Sequence, residues 1–273
     1  MNLFEKIIFA LKEEAEKPTD YGWFHLMFIG LVVISTVLLC VFCRNIKDKT
    51  FRKVVAILWA VIVLFEIYKQ LVYSYSGVTD KWDFQWYAFP YQFCSTPLYL
   101  LPFVAFMKDC KIRDGVIMFI ATFSLFAGLC VYCAPGDVFN TSLLGIQIQT
   151  MVHHGVQIVL GVYSVVYYIN KLTIKNLFFA IIVFVAMLTI AVLLNVLVYN
   201  FIQKEETFNM FFISPYFPCT LPILGGIYEK VHYIFFFFIY TFGFSLCATI
   251  VFGVIYGVKA IISKRIINGK ENN

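Results

Sequence analysis

The chain has 273 residues, of which 61% are apolar and 14% charged, and its mean hydropathy is +0.83. This composition excludes a soluble globular domain and indicates a chain that lies mostly inside lipid. The net charge of +5 resides in a few short loops, and no motif points to a nucleic-acid partner.

Residues 1–20 form the first predicted element. Leu3, Phe4, Ile7 and Leu11 recur at helical spacing, which predicts a short amphipathic helix lying on the outer membrane surface. Lysines and glutamates alternate here, so the segment lacks the basic start that is typical of a cleavable signal peptide. We therefore expect residues 1–20 to remain as an interfacial segment.

Residues 21–258 contain the apolar stretches long enough to cross a hydrocarbon core of about 30 Å. Backbone polar groups inside lipid must be paired within the segment, so these stretches are predicted to be helices. They are 21–43, 54–76, 88–107, 114–133, 143–168, 176–202 and 231–258. The predicted fold class is all-α: a polytopic membrane protein with a bundle of seven transmembrane helices, followed by a basic cytoplasmic tail at 259–273.

Two segments are irregular. The third predicted span contains Pro90, Pro97 and Pro102, so it must kink or break. Residues 207–228 carry no charge but several prolines and glycines. That composition favours a cap over the outer end of the bundle, or a re-entrant segment.

Lysine and arginine alternate between the loops. They are dense in 44–53, 108–113, 171–175 and 259–270, and sparse in the intervening connections. The positive-inside rule makes the dense loops cytoplasmic. The predicted orientation is N-out and C-in, in a multi-pass protein of the cell membrane.

Glu66 and Lys69 stand inside an otherwise apolar span. Their spacing places both side chains on one helix face, and ionisable groups in hydrocarbon are rarely retained without a partner or a function. The other unusual polar residues lie at similar depth, in the outer half of the predicted spans. They are His25, Cys94, His153, His154, Asn195 and His232. The common depth predicts a polar cavity that opens outward above an apolar floor.

Two details restrict the chemistry. His153 and His154 are adjacent, about 100° apart around a helix, so at most one of them faces a given site. His25, His154, Glu66 and His232 are metal-ligand types, but no pair has the spacing of a metal-binding motif. We expect no metal and no cofactor.

Short motifs resemble a known family in order and spacing. FPYQFC at 89–94 resembles the LPLHLC-type segment of bacterial YwaF-type membrane proteins, and His154-Gly155 resembles part of their Ser-His-Gly. Ala134-Pro135 is similar to their Thr-Pro, and Asn195 with 208–215 to an Asn-containing segment before prolines. The resemblance spans residues 20–255 and extends to the eukaryotic transmembrane protein 164 family.

The resemblance implies an intramembrane acyltransferase of ether phospholipids, and a more distant likeness is to the androgen-induced lipid hydrolases. Cys94 would be the nucleophile and His154 its partner. A buried thiol needs such an adjacent base. Asn195, Gln92 or Lys69 would donate to the oxyanion. Gln92 departs from the family, which usually has His there.

A transporter or small-solute-binding protein using Glu66, Lys69 and His154 is the alternative function. A heptahelical receptor matches only the number and orientation of spans. Membrane lipids are the expected partners, because they alone have lateral access to this depth. The oligomeric state stays open.

Overall fold

The computed structural model describes residues 2–43, 47–76, 79 and 81–271, except for the side chains at 137 and 262–271. The predicted basic loop at 44–53 and the tail at 259–273 therefore lie partly outside the described residues. The helices are α1 (Leu3–Ala10), α2 (Trp23–Phe42), α3 (Asp48–Ser74), α4 (Thr96–Phe106), α5 (Lys111–Phe119), α6 (Leu125–Cys133), α7 (Leu144–Tyr168), α8 (Ile174–Phe201), α9 (Leu224–Tyr228) and α10 (Tyr233–Glu271). Two short strands, β1 (Tyr75–Ser76) and β2 (Lys81–Trp82), pair as an antiparallel hairpin.

Within the described residues, six helical segments are long and apolar enough to cross a membrane. They are α2, α3, α5 with α6, α7, α8 and α10. A π-helical turn, Ile120–Ser124, joins α5 to α6 without interrupting the span. The all-α, polytopic character expected from the sequence is confirmed.

The third predicted span is different, because only its second half is a regular helix. Its first half contains two short 3-10 turns, Trp86–Ala88 and Phe93–Ser95, separated by irregular backbone around Pro90. α4 then has 11 residues, or about 16 Å at 1.5 Å per residue, half of a hydrocarbon core. The predicted break is therefore present, and it halves the helix.

The end of α4 nevertheless lies beside the start of α3. Arg52 donates to the backbone carbonyls of Ala105, at 3.4 Å, and of Met107. About two turns further along α3, Trp59 Nε1 donates to the carbonyl of Leu98 in α4 at 2.9 Å. The irregular segment and α4 together therefore return the chain to the end of the bundle where α3 begins. We refer to this end as the inner end.

α7 lies at the centre of the bundle, packed against α2, α3 and α6, while α5 packs along α8. Its described length carries an unusual number of buried polar side chains. They are Gln147, Gln149, His153, His154, Gln157 and Ser164. The central helix of the protein is thus its most polar one, and this polar face sets where a site can lie.

The N-terminal segment and the 203–232 connection lie at the opposite, outer end of the bundle. α1 begins with a capping box, in which Asn2 and Glu5 each accept the other's backbone N–H. Phe4 stacks on Trp82 of the hairpin, with ring centroids 6.1 Å apart. The placement of α1 on the membrane surface stays a prediction.

An ionic cluster at the inner end was not predicted from the sequence. Arg113 is 1% exposed and donates to Asp48 at 2.8 Å and to Asp109 at 2.5 Å. Arg52 also binds both carboxylates. The cluster ties the start of α3 to the connection between α4 and α5, at the loops that the sequence predicts to be cytoplasmic.

Candidate active site between α3, α4 and α7

Cys94 lies where the irregular segment becomes helical. Pro97 has no backbone N–H to offer the carbonyl of Phe93. This carbonyl accepts from the backbone N–H of Thr96 and, at 2.8 Å, from the Thr96 hydroxyl. The broken backbone places Cys94 at the N-terminal end of the Phe93–Phe106 helical segment. Unpaired N–H groups at a helix N-terminus stabilise nearby negative charge, and a thiolate at this position would gain from it.

The carbonyl of Cys94 is held by two side chains of α7. His153 Nε2 is 2.9 Å from this oxygen, and Gln157 Nε2 donates to it at 2.7 Å. His153 and Gln157 are four residues apart and therefore share one face of α7. Both are almost fully buried, at 3% and 1% exposure. The main chain at Cys94 is thus fixed against the polar face of the central helix.

These contacts determine the state of both neutral histidines, because a carbonyl oxygen can only accept. Nε2 of His153 must carry its proton. Nδ1 of His154 lies 2.8 Å from the carbonyl of Thr150 and must likewise be the donor. His154 therefore keeps its lone pair on Nε2, the arrangement that a general base oriented by a backbone carbonyl requires.

Glu66 and Lys69 form the predicted pair on one face of α3, with Nζ 2.9 Å from Oε1. Gln70 completes the group, since its Nε2 donates to Glu66 at 2.7 Å and to the carbonyl of Ala88 at 2.8 Å. Lys69 is close enough to interact electrostatically with Cys94, His153 and His154. The structure thus groups Glu66, Lys69, Cys94 and His153 in one largely buried cluster. His154 lies next to His153 on α7, but its hydrogen bond is to Thr150 and not to Cys94.

A protein-family model described as the TMEM164 family matches residues 20–256. The chain belongs to this family. The matched region contains every candidate site residue and leaves α1 outside. No curated protein and no solved structure shows significant similarity to the chain. The likeness to transmembrane protein 164 inferred from the short motifs is confirmed by this match.

In this TMEM164-family protein, Gln92 and Asn195 bind the backbone around the 3-10 turn Met210–Phe212, in the connection before α10. Gln92 donates to the carbonyl of Asn209 at 3.0 Å and accepts from the N–H of Phe211 at 2.8 Å. Asn195 donates to the carbonyl of Met210 at 3.0 Å and accepts from its N–H at 2.8 Å. Their amide groups are engaged by the main chain, so their role as oxyanion donors stays a prediction.

The remaining histidines lie apart from the cluster. His25 packs against Tyr132 and Phe139 at the outer end, and His232 is exposed before α10. Among the described residues, no three His, Cys, Asp or Glu side chains converge as a metal site would require.

Sequence reasoning missed Gln157 and Gln70, and it did not favour His153. The signal for Gln157 was present, because an amide four residues after a histidine lies on the same helix face. The polar residues of α7 recur at this spacing from Gln149 through His153 to Gln157. A polar stripe inside a membrane-spanning helix indicates a contact with polar backbone, and here that backbone is the broken third span.

Proposed function

We propose that this protein is an intramembrane enzyme that removes or transfers ester-linked acyl chains of membrane lipids. The proposal rests on the two hydrogen bonds that His153 and Gln157 make to the carbonyl of Cys94. These bonds fix the main chain of Cys94 at the N-terminal end of the Phe93–Phe106 helical segment, against the turn of α7 that carries His154. Membership of the TMEM164 family supports the same reading.

In the proposed reaction, Cys94 Sγ attacks the carbonyl carbon of a lipid ester, and its proton passes to Nε2 of His154. The tetrahedral intermediate collapses with breakage of the acyl C–O bond. His154 returns the proton to the departing alkoxide, which leaves a lysolipid and a thioester on Cys94. Water or a second lipid hydroxyl then attacks the thioester, His154 takes its proton, and the Cys94 thiol is restored.

Lys69 is the best placed of the three predicted oxyanion donors. Its ammonium has three N–H groups, and Glu66 is its ion-pair partner at 2.9 Å. A cation held inside the bundle stabilises a developing negative charge more strongly than it would in water. In this account Glu66 and Gln70 are positioning residues that fix where the ammonium stands.

Two buried acceptor atoms suit the second half of the reaction. Nδ1 of His153 and Oε1 of Gln157 have no hydrogen-bond partner among the described residues. Both side chains direct their N–H donors at Cys94, so the atoms left over are acceptors. They would accept a hydrogen bond from the water or the lipid hydroxyl that attacks the thioester and releases the acyl chain.

The proposal includes the membrane arrangement. We infer that the irregular segment with α4 completes a seventh crossing, with the N-terminus outside and the C-terminus inside the cell membrane. Cys94 and the histidines then lie in the outer half of the bundle, in a polar cavity that opens toward the outer leaflet. The distribution of basic loops supports this orientation.

Lipid turnover by the purified protein tests the proposal. In vesicles of phosphatidylcholine and phosphatidylethanolamine we expect release of lysolipid, abolished in Cys94→Ala and reduced by orders of magnitude in His154→Ala. Cys247→Ala is the matched control, since it removes another thiol within a span and should leave turnover unchanged. Equal turnover in Cys94→Ala and wild type would contradict the role of Cys94 as nucleophile. No lysolipid release by the wild type would contradict the enzyme and favour solute binding or transport at Glu66 and Lys69.

A further inference from the structure

Two apolar cavities follow one another along a face of α7 that is distinct from the Cys94 face. The outer one, of about 270 Å³, lies between the end of α1, α3 and α7, and its walls include Phe65 and Ile148. The inner one, of about 420 Å³, lies between α2, α3 and α7, and its walls include Leu38, Leu58 and Val152. Neither cavity is lined by Cys94, Glu66 or His154.

The two cavities lie in line along α3 and α7, and together they mark one path between these helices. Ile148 and Val152 are four residues apart on α7, and Phe65 and Leu58 are two turns apart on α3, so each pair lies on one face of its helix. From Leu144 to Val159 the path is about 22 Å long at 1.5 Å per residue. One leaflet of a bilayer has a hydrocarbon depth of about 15 Å. The path therefore reaches from the outer interface to beyond the middle of the membrane.

The path is open sideways to the bilayer. α2 packs along α7, but in the described part of the chain it makes no extensive contact with α3. Gly155 permits the close approach of α2, since a Cβ at this position would lie 2.8 Å from Val32 Cγ2 and from the Tyr132 hydroxyl. Leu31 and Leu38, which line the inner cavity from α2, are each 49% exposed.

We propose that this groove binds one hydrocarbon chain of an outer-leaflet phospholipid. The walls of the inner cavity carry two side-chain hydroxyls, Ser35 and Tyr132, among otherwise apolar side chains. The Tyr132 hydroxyl already donates to the carbonyl of Met151 at 2.8 Å, so the cavity offers little for a polar ligand. At this depth, lipid chains are the apolar species with lateral access. The outer cavity ends at Glu13, beside Lys12, whose ammonium donates to the carbonyl of Tyr75. A headgroup would lie at this polar mouth.

Lipid binding in this groove does not depend on the proposed chemistry at Cys94. Gly155, on the groove, is about 200° around α7 from His153, which contacts Cys94. The groove is therefore a second site, and lipid can bind it whether or not a thioester forms on the other side of the helix.

Photocrosslinking tests the groove. We would place the protein in phosphatidylcholine vesicles with a trace of phosphatidylcholine that carries a diazirine at the end of one acyl chain. We expect the crosslinks to concentrate in the α2 and α7 peptides that line the inner cavity. Val152→Trp, which fills the inner cavity from α7, should reduce these crosslinks several-fold. If Val152→Trp does not fold, Ser35→Phe fills the same cavity from α2 and should have the same effect.

Leu193→Trp is the matched control, because Leu193 is 54% exposed on α8, away from the groove. It should leave the α2 and α7 crosslinks unchanged. Crosslinks spread evenly over all outward-facing helices and unaffected by a filling variant would overturn the proposal and show annular contact only. The experiment is repeated in Cys94→Ala, where the expected pattern is the same, so failure of the groove and failure of the enzyme give different results.

Discussion

Single residues of α7 act on the main chain of Cys94 through two independent hydrogen bonds. Gln157→Leu removes one of them and leaves His153 in place. We expect a loss of about 1 kcal/mol in the free energy of unfolding. Because the main chain at Cys94 becomes less fixed, the rate of lysolipid release should also fall. Thermal unfolding in detergent and turnover in vesicles measure the two effects. A loss of stability with unchanged turnover would show that the contact is structural only.

The Glu66–Lys69 pair is buried, with side chains 9% and 16% exposed. Removing one partner leaves the other charge without compensation, which costs about 3–5 kcal/mol for buried pairs. We therefore expect Glu66→Leu to lower the melting temperature more than the double variant Glu66→Leu with Lys69→Leu. Equal melting temperatures for the single and double variants would show that the two charges are not coupled.

At this scale the sequence predicted the ion pair but not the choice between the two histidines. Spacing alone places Glu66 and Lys69 on one face, and the 2.9 Å contact confirms their pairing. The rotation of α7 about its axis is not encoded in a local pattern. It depends on how α7 packs against α2, α3 and α6, and this packing brings His153 to the carbonyl of Cys94 while His154 turns to Thr150.

At the scale of elements, the irregular connection before α10 is held by amide side chains of α8 and of the irregular segment before α4. Phe211 and Phe212 adopt left-handed backbone, with φ of 57° and 53°, which bulky residues rarely do. Asn195 holds the N–H and carbonyl of Met210 beside them. Asn195→Ala should cost about 1–3 kcal/mol, because two buried backbone groups lose their partner.

Thermal unfolding and turnover of Asn195→Ala distinguish the two roles of this amide. If Asn195 holds the turn, the melting temperature falls, whereas Thr189→Ala changes it little, because Thr189 is exposed on the same helix and donates only to the carbonyl of Val185. A variant that keeps its melting temperature but loses turnover would instead support the predicted oxyanion role.

Elements were predictable to the extent that local composition determines them. Long apolar runs identify the six helical spans, and Pro90 and Pro97 identify the third as broken. The length of the third span that remains helical depends on tertiary contacts, such as the hydrogen bond from Trp59 to the carbonyl of Leu98. Such contacts cannot be read from the local sequence. The inner ionic cluster was missed for a similar reason, since Asp48, Asp109 and Arg113 come together only when α3 and α5 pack.

For the whole molecule, two native cysteines report the orientation. Cys133 is exposed where α6 ends, and Cys110 is exposed where α5 begins, at the inner end. In intact cells, a membrane-impermeant maleimide should label a variant that keeps only Cys133. It should label a variant that keeps only Cys110 after permeabilisation alone. The reverse pattern would contradict the N-out, C-in arrangement.

The central claim is that Cys94 carries the acyl chain between two half-reactions. Intact-mass and peptide mass spectrometry of the protein, acid-quenched during turnover of a phospholipid with a single acyl species, measures this intermediate directly. We expect an acyl adduct on the peptide containing Cys94. Neutral hydroxylamine should remove it, as it removes a thioester, and Cys94→Ala should lack it. Lysolipid release that continues in Cys94→Ala, or an adduct confined to other residues, would contradict it.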